Sequence, residues 1–276
     1  MMKAAFKFGL TPESTVDWRG RLAAAIWLPQ CSFRCPFCHN GELVKGNLDV
    51  AYSLEEVIEE VISKRQGLLQ GVVLSGGEPL FSVAQCDAVC EAIGGRLPIK
   101  LDTNGSFPES FTDFVERWKP DYVAIDIKGA PENYAEVAGL SVPPRMLASS
   151  VMATLETALA FEVPHVELRT TVIPGLNDED APAIAEWVGH LAPYITEYSV
   201  QAFQPGRCLD RFFNRVQATP ADMLQHFAGV IKGAGFNAQI THGAVADTDI
   251  EALDATTDAT GTADPSGSAI LAEDLE

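Results

Sequence analysis

Residues 22–40 read Leu22-Ala-Ala-Ala-Ile-Trp-Leu28-Pro-Gln-Cys31-Ser-Phe-Arg-Cys35-Pro-Phe-Cys38-His39-Asn40. An apolar run without polar alternation, followed at once by a polar cluster, is what a parallel strand buried on both faces produces when it empties into a functional loop. The pattern recurs along the chain. Gly71–Leu74 runs into Ser75-Gly76-Gly77-Glu78-Pro79, and Ile99–Leu101 into Asp102-Thr103-Asn104-Gly105. Tyr122–Ile127 carries Asp126-Ile-Lys128, Val166–Ile173 contains Arg169-Thr-Thr, and Tyr198–Phe203 leads through Gln201-Ala-Phe-Gln204-Pro-Gly206.

Helix-period segments fill the intervals: Leu54–Lys64, Ala84–Ile93, Phe111–Trp118, Leu147–Phe161, Asp180–Leu191 and Ala221–Lys232. Ser53 with Glu56 three residues on forms a capping-box signature, and Pro220 after Thr219 marks a first helical position. Six strand–helix alternations predict a parallel α/β sheet or barrel, with Phe236–Ile240 as a seventh apolar piece. All six polar clusters then face one mouth, at the carboxyl ends of the strands.

Composition narrows the function classes. The 276 residues carry 19 Lys plus Arg against 38 Asp plus Glu, a net charge of -19, with 47% hydrophobic residues and mean hydropathy +0.07. So acidic a surface repels phosphate backbones and anionic headgroups, which disfavours nucleic-acid and membrane-surface partners. No run approaches the roughly 18 apolar residues of a membrane span, and no leader-like segment opens the sequence. A cytoplasmic protein is expected. Residues 246–276 hold nine acidic residues and no Lys or Arg, with no aromatic residue and little periodicity. We expect a domain over 1–245 and a disordered acidic tail over 246–276, too poor in apolar surface to offset the entropy of ordering.

Six cysteines are too few for a disulfide scaffold, and three of them crowd into eight positions. Cys31, Cys35 and Cys38 can wrap their thiolates around one soft-metal centre. Zinc wants a fourth ligand; His39 is awkwardly adjacent to Cys38, and no second Cys-x2-Cys pair follows. Three ligands suit a four-iron cluster that keeps one iron open, while structural zinc and unliganded thiols remain the alternatives. Taken alone, Ser-Gly-Gly-Glu-Pro reads equally as a plain turn, and Asp126 with Lys128 as a same-face ion pair. No Gly-Lys-Ser/Thr follows the glycines, so a phosphate loop is excluded.

Cys31-x3-Cys35-x-Phe37-Cys38, with a Gly-Gly-Glu turn after the next strand, resembles the radical S-adenosylmethionine superfamily. Val16-Asp17-Trp18-Arg19-Gly20-Arg21, Cys38-His39-Asn40, Asp102-Thr103-Asn104-Gly105 and Asp126-x-Lys128 are similar to the glycyl-radical-enzyme activating enzymes. The start at Asp17-Trp18, the Thr-Thr-Val-Ile-Pro-Gly-Leu-Asn run and Gln201–Gly206 resemble the activating proteins of anaerobic ribonucleoside-triphosphate reductase. The resemblance covers roughly residues 14 to 240.

It implies a partial (β/α)6 parallel barrel of the radical S-adenosylmethionine type. Cys31, Cys35 and Cys38 would hold one 4Fe-4S cluster, whose open iron S-adenosylmethionine would chelate. Phe37 would pack near the adenine, and Gly76, Gly77 and Glu78 would meet the methionyl amine. Asp102, Thr103, Asn104 and Asp126 would form a polar network with a monovalent-cation site, and Lys128 and Arg169 would anchor the methionyl carboxylate and ribose side. Gln204 stands where many activating enzymes have histidine, and Arg19 where proline is usual.

Flavodoxin or ferredoxin would supply one electron. The cofactor would split to methionine and a 5′-deoxyadenosyl radical, which would take hydrogen from a backbone glycine of a glycyl radical enzyme. No side chain is then required as acid or base. The rival readings are an activase of another glycyl radical enzyme, a small-molecule radical enzyme, and a non-catalytic iron–sulfur or zinc module. Cys86 and Cys90, four apart on a helix, and Cys208 are candidates for an auxiliary cluster or for inert core thiols. Trp18 and Trp27 read as ordinary core aromatics, although Trp18 also sits where a partner peptide could dock.

Overall fold

The computed structural model describes residues 6–241. The expected boundary at 245 and the acidic tail 246–276 lie outside the described residues. Eight strands form one sheet in strict sequence order: β1 (Gly9–Ser14), β2 (Ala23–Leu28), β3 (Gly71–Gly76), β4 (Ile99–Thr103), β5 (Tyr122–Asp126), β6 (Val166–Val172), β7 (Glu197–Ala202) and β8 (Ala238–Thr241). β2 to β8 pair parallel throughout, and β1 pairs antiparallel with β2. Sequential parallel strands with right-handed crossovers put every crossover helix on the same face, so the sheet curls as in a barrel. β1 and β8 are its two edges.

The helices are α1 (Gly41–Val44), α2 (Leu54–Ile58), α3 (Val83–Ile93), α4 (Pro108–Trp118), α5 (Tyr134–Val137), α6 (Pro144–Ala160), α7 (Ala181–Val188) and α8 (Ala221–Gly233). Both bonds of the Ser53–Glu56 capping box are present, and α2 continues into a π-helical turn, Glu59–Ser63, closed by Lys64 N–H on the Glu59 carbonyl. α7 passes into a 3-10 stretch, Gly189–Tyr194, where Pro193 cannot donate. Pro220 is the cap rather than the first turn of α8. Thr219 serves the sheet instead: its hydroxyl donates to Val172 O and accepts from Phe203 N at 2.8 Å.

Alternation along each strand divides the core in two. Ala24, Ile26, Leu28, Val72, Leu74, Leu101, Val123, Ile125, Leu168 and Val200 pack under the helices in one continuous apolar cluster. On the other face the residues shrink or turn polar: Ala23, Ala25 and Ala124 lie with Val73, Trp18 and Tyr122. Trp18 is 6% exposed and stacks on Tyr122 with centroids 5.8 Å apart, beneath Arg21 at 4.6 Å. It plugs the amino-terminal end of the barrel as a core aromatic, and of the two readings of Trp18 the docking one is not met. The Tyr122 hydroxyl is shared between Glu167 Oε2 at 2.9 Å and Glu197 Oε1 at 2.8 Å, and His165 and Arg19 meet Glu197 from either side. Arg19 thus closes the floor, reaching also Gln239 on β8 at 3.2 Å.

Candidate functional site

The cysteine loop, residues 29–40, is clamped from four directions. The carboxyl end of β3 holds its start: Gly77 N–H donates to Leu28 O at 2.9 Å and Glu78 N–H to Gln30 O at 2.8 Å. These bonds require glycine, because a Cβ on Gly77 would stand 1.9 Å from Gln30 O and one on Gly76 2.4 Å from Leu28 O. α1 returns a bond from Gln30 N–H to Leu43 O at 2.8 Å. Behind α5, Ala138 O accepts from Arg34 N at 2.9 Å, and Gly139, at φ +68°, lies so close that a Cβ would meet Arg34 O at 2.0 Å. The loop after β7 closes the ring, with Leu209 N–H on Cys38 O at 2.9 Å and Asp210 N–H on Pro36 O at 2.8 Å. Neither Gly139 nor Leu209 and Asp210 carries a sequence signal for this duty, since the contacts join segments over 100 residues apart.

Inside this clamp Cys31 and Cys35 are buried and Cys38 is half-buried. Burial pushes the thiols up, to about 11 at Cys31 and about 12 at Cys35, and Cys38 moves the same way. Desolvated neutral thiols lose their protons only against metal. Among the described residues no three His, Cys, Asp or Glu side chains converge on a single-ion position. A four-iron cube takes each thiolate on a different iron, so its ligands surround a volume instead of meeting at a point, and the donor set fits that group better than zinc. His39 is no fourth ligand: its Nε2 donates to the Gln204 carbonyl at 2.7 Å. Cys86 and Cys90 are buried on α3, while Cys208 lies on the loop over Cys38, so the three thiols considered for an auxiliary cluster are not assembled.

Glu78 is 1% exposed. Its Oε1 accepts from Thr103 Oγ1 at 2.8 Å and Leu80 N at 3.1 Å, and its Oε2 from Asn104 N at 2.7 Å. Burial without a cation partner lifts its carboxyl to about 7. Oε2 keeps room for one more donor. Asn104, likewise buried, sends its side-chain amide to Ser32 Oγ at 3.1 Å and toward Cys31 Sγ at 3.6 Å. The Gly-Gly-Glu and Asp-Thr-Asn-Gly segments are therefore one hydrogen-bonded unit that rests on the first cysteine.

Strand register builds the other wall. Asp126 pairs with Arg169 across β5 and β6, and the ion pairs run in a row: Lys128 Nζ to Asp126 Oδ2 at 2.8 Å, Arg169 Nε to Asp126 Oδ1 at 3.0 Å, Arg169 Nη1 to Asp102 Oδ2 at 3.2 Å, and Lys100 Nζ to Asp102 Oδ1 at 3.2 Å. Burial alone would raise Asp126, but Lys128 and Arg169 hold it below the ordinary carboxylate range. Buried Glu167 also bears on Arg169, and Lys100 reaches back to Asp17 O at 2.5 Å, so three cations are matched by three carboxylates. Lys100 belongs to this row although the sequence reading did not select it; only the alternation of β4, which puts it on Asp102's face, reveals it. Phe37 is buried beside Phe213, with ring centroids 6.5 Å apart, and Gln204 sits at the mouth beside His39. The residues expected to hold the cluster and S-adenosylmethionine thus come to the carboxyl end of the sheet.

Comparison with known proteins agrees with this geometry. The model of the radical SAM superfamily matches residues 26–188. A Methanocaldococcus jannaschii protein named as a glycyl-radical enzyme activating enzyme is 29% identical over 230 residues, 81% of this chain and 90% of its own length. The pyruvate formate-lyase-activating enzyme of Listeria monocytogenes is 29% identical over 142 residues, 47% of this chain and 56% of that enzyme. In fold, a radical SAM methyltransferase from Sphaerobacter thermophilus superposes with a TM-score of 0.62 at 16% identity, covering 82% of this chain and 67% of that one.

Proposed function

Since the chain belongs to the radical SAM superfamily, we propose that it activates a glycyl radical enzyme, and that this partner is the anaerobic ribonucleoside-triphosphate reductase. The family implies a 4Fe-4S cluster and S-adenosylmethionine, which when bound supply one-electron cleavage of the sulfonium and removal of a hydrogen atom from a backbone glycine. One observation carries the reading: a loop offering three desolvated thiols closes over the same mouth as the Lys128–Asp126–Arg169–Asp102 row. The near-full-length likeness to an activating-enzyme relative supports the class of partner. The Gln201–Gly206 run supports the reductase in particular.

Cys31, Cys35 and Cys38 would hold the cluster, and the clamp around their loop fixes where they present their thiols. Lys128 and Arg169 would be the donors to the methionyl carboxylate. Glu78 Oε2, with one acceptor position left, would receive the methionyl amine, aided by the close approach that Gly76 and Gly77 allow. Phe37 offers an apolar face to the adenine, and Asp126 positions both cations. For the small cation, Asp102 Oδ1 is a buried oxygen without a hydrogen-bond donor. The Lys100 ammonium at 3.2 Å already supplies its counter-charge, so in our reading Lys100 takes the cation's place. The protein's contribution is placement and exclusion of water rather than proton transfer. The electron comes from flavodoxin or ferredoxin.

The test mixes reconstituted, reduced protein and S-adenosylmethionine with purified anaerobic ribonucleotide reductase, and in parallel with pyruvate formate-lyase, under strict anaerobiosis. A glycyl radical signal in electron paramagnetic resonance on the reductase alone supports the proposal. A signal on pyruvate formate-lyase alone refutes the named partner and keeps the class.

A further inference from the structure

The loop from Phe203 to Thr219, between β7 and α8, carries a feature the chemistry at the mouth does not use. Arg207, Arg211 and Arg215 recur every four residues against a single acid, Asp210, and all three are exposed. Among the described residues none has a carboxylate within ion-pair distance, whereas Arg19, Arg65, Arg117, Arg145 and Arg169 each do. Asp210 is occupied locally, its Oδ1 accepting from Phe212 N at 2.8 Å. On a chain of net charge -19 this is a local surplus of positive charge. Arg207 and Arg211 line, with Lys45, a groove of about 690 Å³ that reaches His39 and Cys208. Lys45 in that wall is paired with Glu42 at 2.7 Å, and Asp49 is the one other acid of the lining, so the two arginines leave the groove net positive. Phe212, 67% exposed, follows Arg211 directly.

This loop touches the cysteine loop. Leu209 N–H on Cys38 O, Asp210 N–H on Pro36 O and the Phe213–Phe37 contact join it to the least buried of the three cysteines. A protein seated on the arginines stands one hydrogen bond away from a residue that carries a cluster thiolate. On an acidic surface an isolated basic patch repels nothing anionic locally while the rest of the molecule does, which steers an acidic partner to this face. Weak redox encounters need only small, charge-matched contact areas. The glycine-bearing partner has a different requirement: it must pass a segment of chain into the mouth.

We propose that Arg207 and Arg211, with Arg215 and Phe212 beside them, form the docking surface for an acidic one-electron carrier protein. The inference rests on the radical reading above. Per turnover the carrier loses one electron and the iron–sulfur centre gains one; no atom is transferred. Association therefore depends on charge at these arginines, while the chemistry at the mouth does not.

The experiment uses the full reconstituted chain, purified flavodoxin as probe, and the double variants R207E/R211E and R207K/R211K. Binding is measured by anaerobic calorimetry over a salt series, and cleavage of S-adenosylmethionine is driven separately by reduced flavodoxin and by dithionite. The expected result is flavodoxin binding that weakens with salt, is about tenfold or more weaker in R207E/R211E and is retained in R207K/R211K. Flavodoxin-driven cleavage then falls in the Glu variant while dithionite-driven cleavage stays unchanged. Equal flavodoxin affinity in wild type and R207E/R211E would overturn the proposal, whether the carrier docks elsewhere or the chain's own acidic residues occupy the arginines. So would a variant that keeps flavodoxin but loses the glycyl radical enzyme. Absence of dithionite-driven cleavage in the wild type would refute the radical reading, a failure distinct from any change in binding.

Discussion

The backbone N–H of Asn104 donates to Glu78 Oε2 at 2.7 Å, and this bond welds the end of β4 to the end of β3 directly beneath Cys31. The carboxylate receives three donors but no cation, and burial lifts it from its ordinary 4.5 to about 7. The unfolded chain releases this proton near 4.5 and the folded chain near 7. Between those values the folded state holds more protons, so stability falls as pH rises through the window. Thermal unfolding of the cluster-free protein at pH 5 and pH 7.5 should show that decline, and Glu78→Gln should flatten it. The same slope in both proteins would remove Glu78 as its source.

Gly77→Ala places a methyl group where Gln30 O stands, 1.9 Å away. Backbone on both sides leaves nothing flexible to yield, so the cost should reach about 3 kcal/mol. Denaturant unfolding measures it directly. Because the displaced carbonyl opens the cysteine loop, iron bound per chain after reconstitution should fall as well.

Lys128→Met removes one cation of the row while Arg169 still covers Asp126. S-adenosylmethionine should then bind more weakly by about 2 kcal/mol, roughly thirtyfold in Kd. Equilibrium dialysis with reconstituted protein checks this, and Lys128→Arg should recover part of the loss. Unchanged affinity would mean that the methionyl carboxylate lies elsewhere.

Tyr122→Phe serves as the remote comparison. It strips the shared hydroxyl from Glu167 and Glu197 on the barrel floor and should cost about 1–3 kcal/mol of stability. Cleavage per folded molecule should be unaffected, because the floor lies at the opposite end of the strands from the cysteines.

Strands buried on both faces announce themselves as apolar runs, and the clusters behind them mark the mouth; β2 to β8 and the Lys128–Asp126 pair follow from that alone. β1 does not, because Gly9-Leu-Thr-Pro-Glu-Ser14 contains a proline and polar residues that only an edge strand tolerates. α1 and α5, four residues each, are too short for a 3.6-residue period to show. The bonds from Arg169 to both Asp102 and Asp126 depend on the register of three strands, and those from Leu209 and Asp210 to the cysteine loop depend on a return of the chain some 170 residues later. The choice between core and docking at Trp18 is open in the sequence for the same reason: its burial is decided by Tyr122, on a strand that local sequence does not place beside it.

One anaerobic assay tests the radical chemistry most directly. Protein reconstituted with iron and sulfide, reduced with dithionite and given S-adenosylmethionine should release 5′-deoxyadenosine, and Cys35→Ala should release none. A cluster that forms in the wild type yet never cleaves the cofactor, with the partner enzyme present, would contradict it.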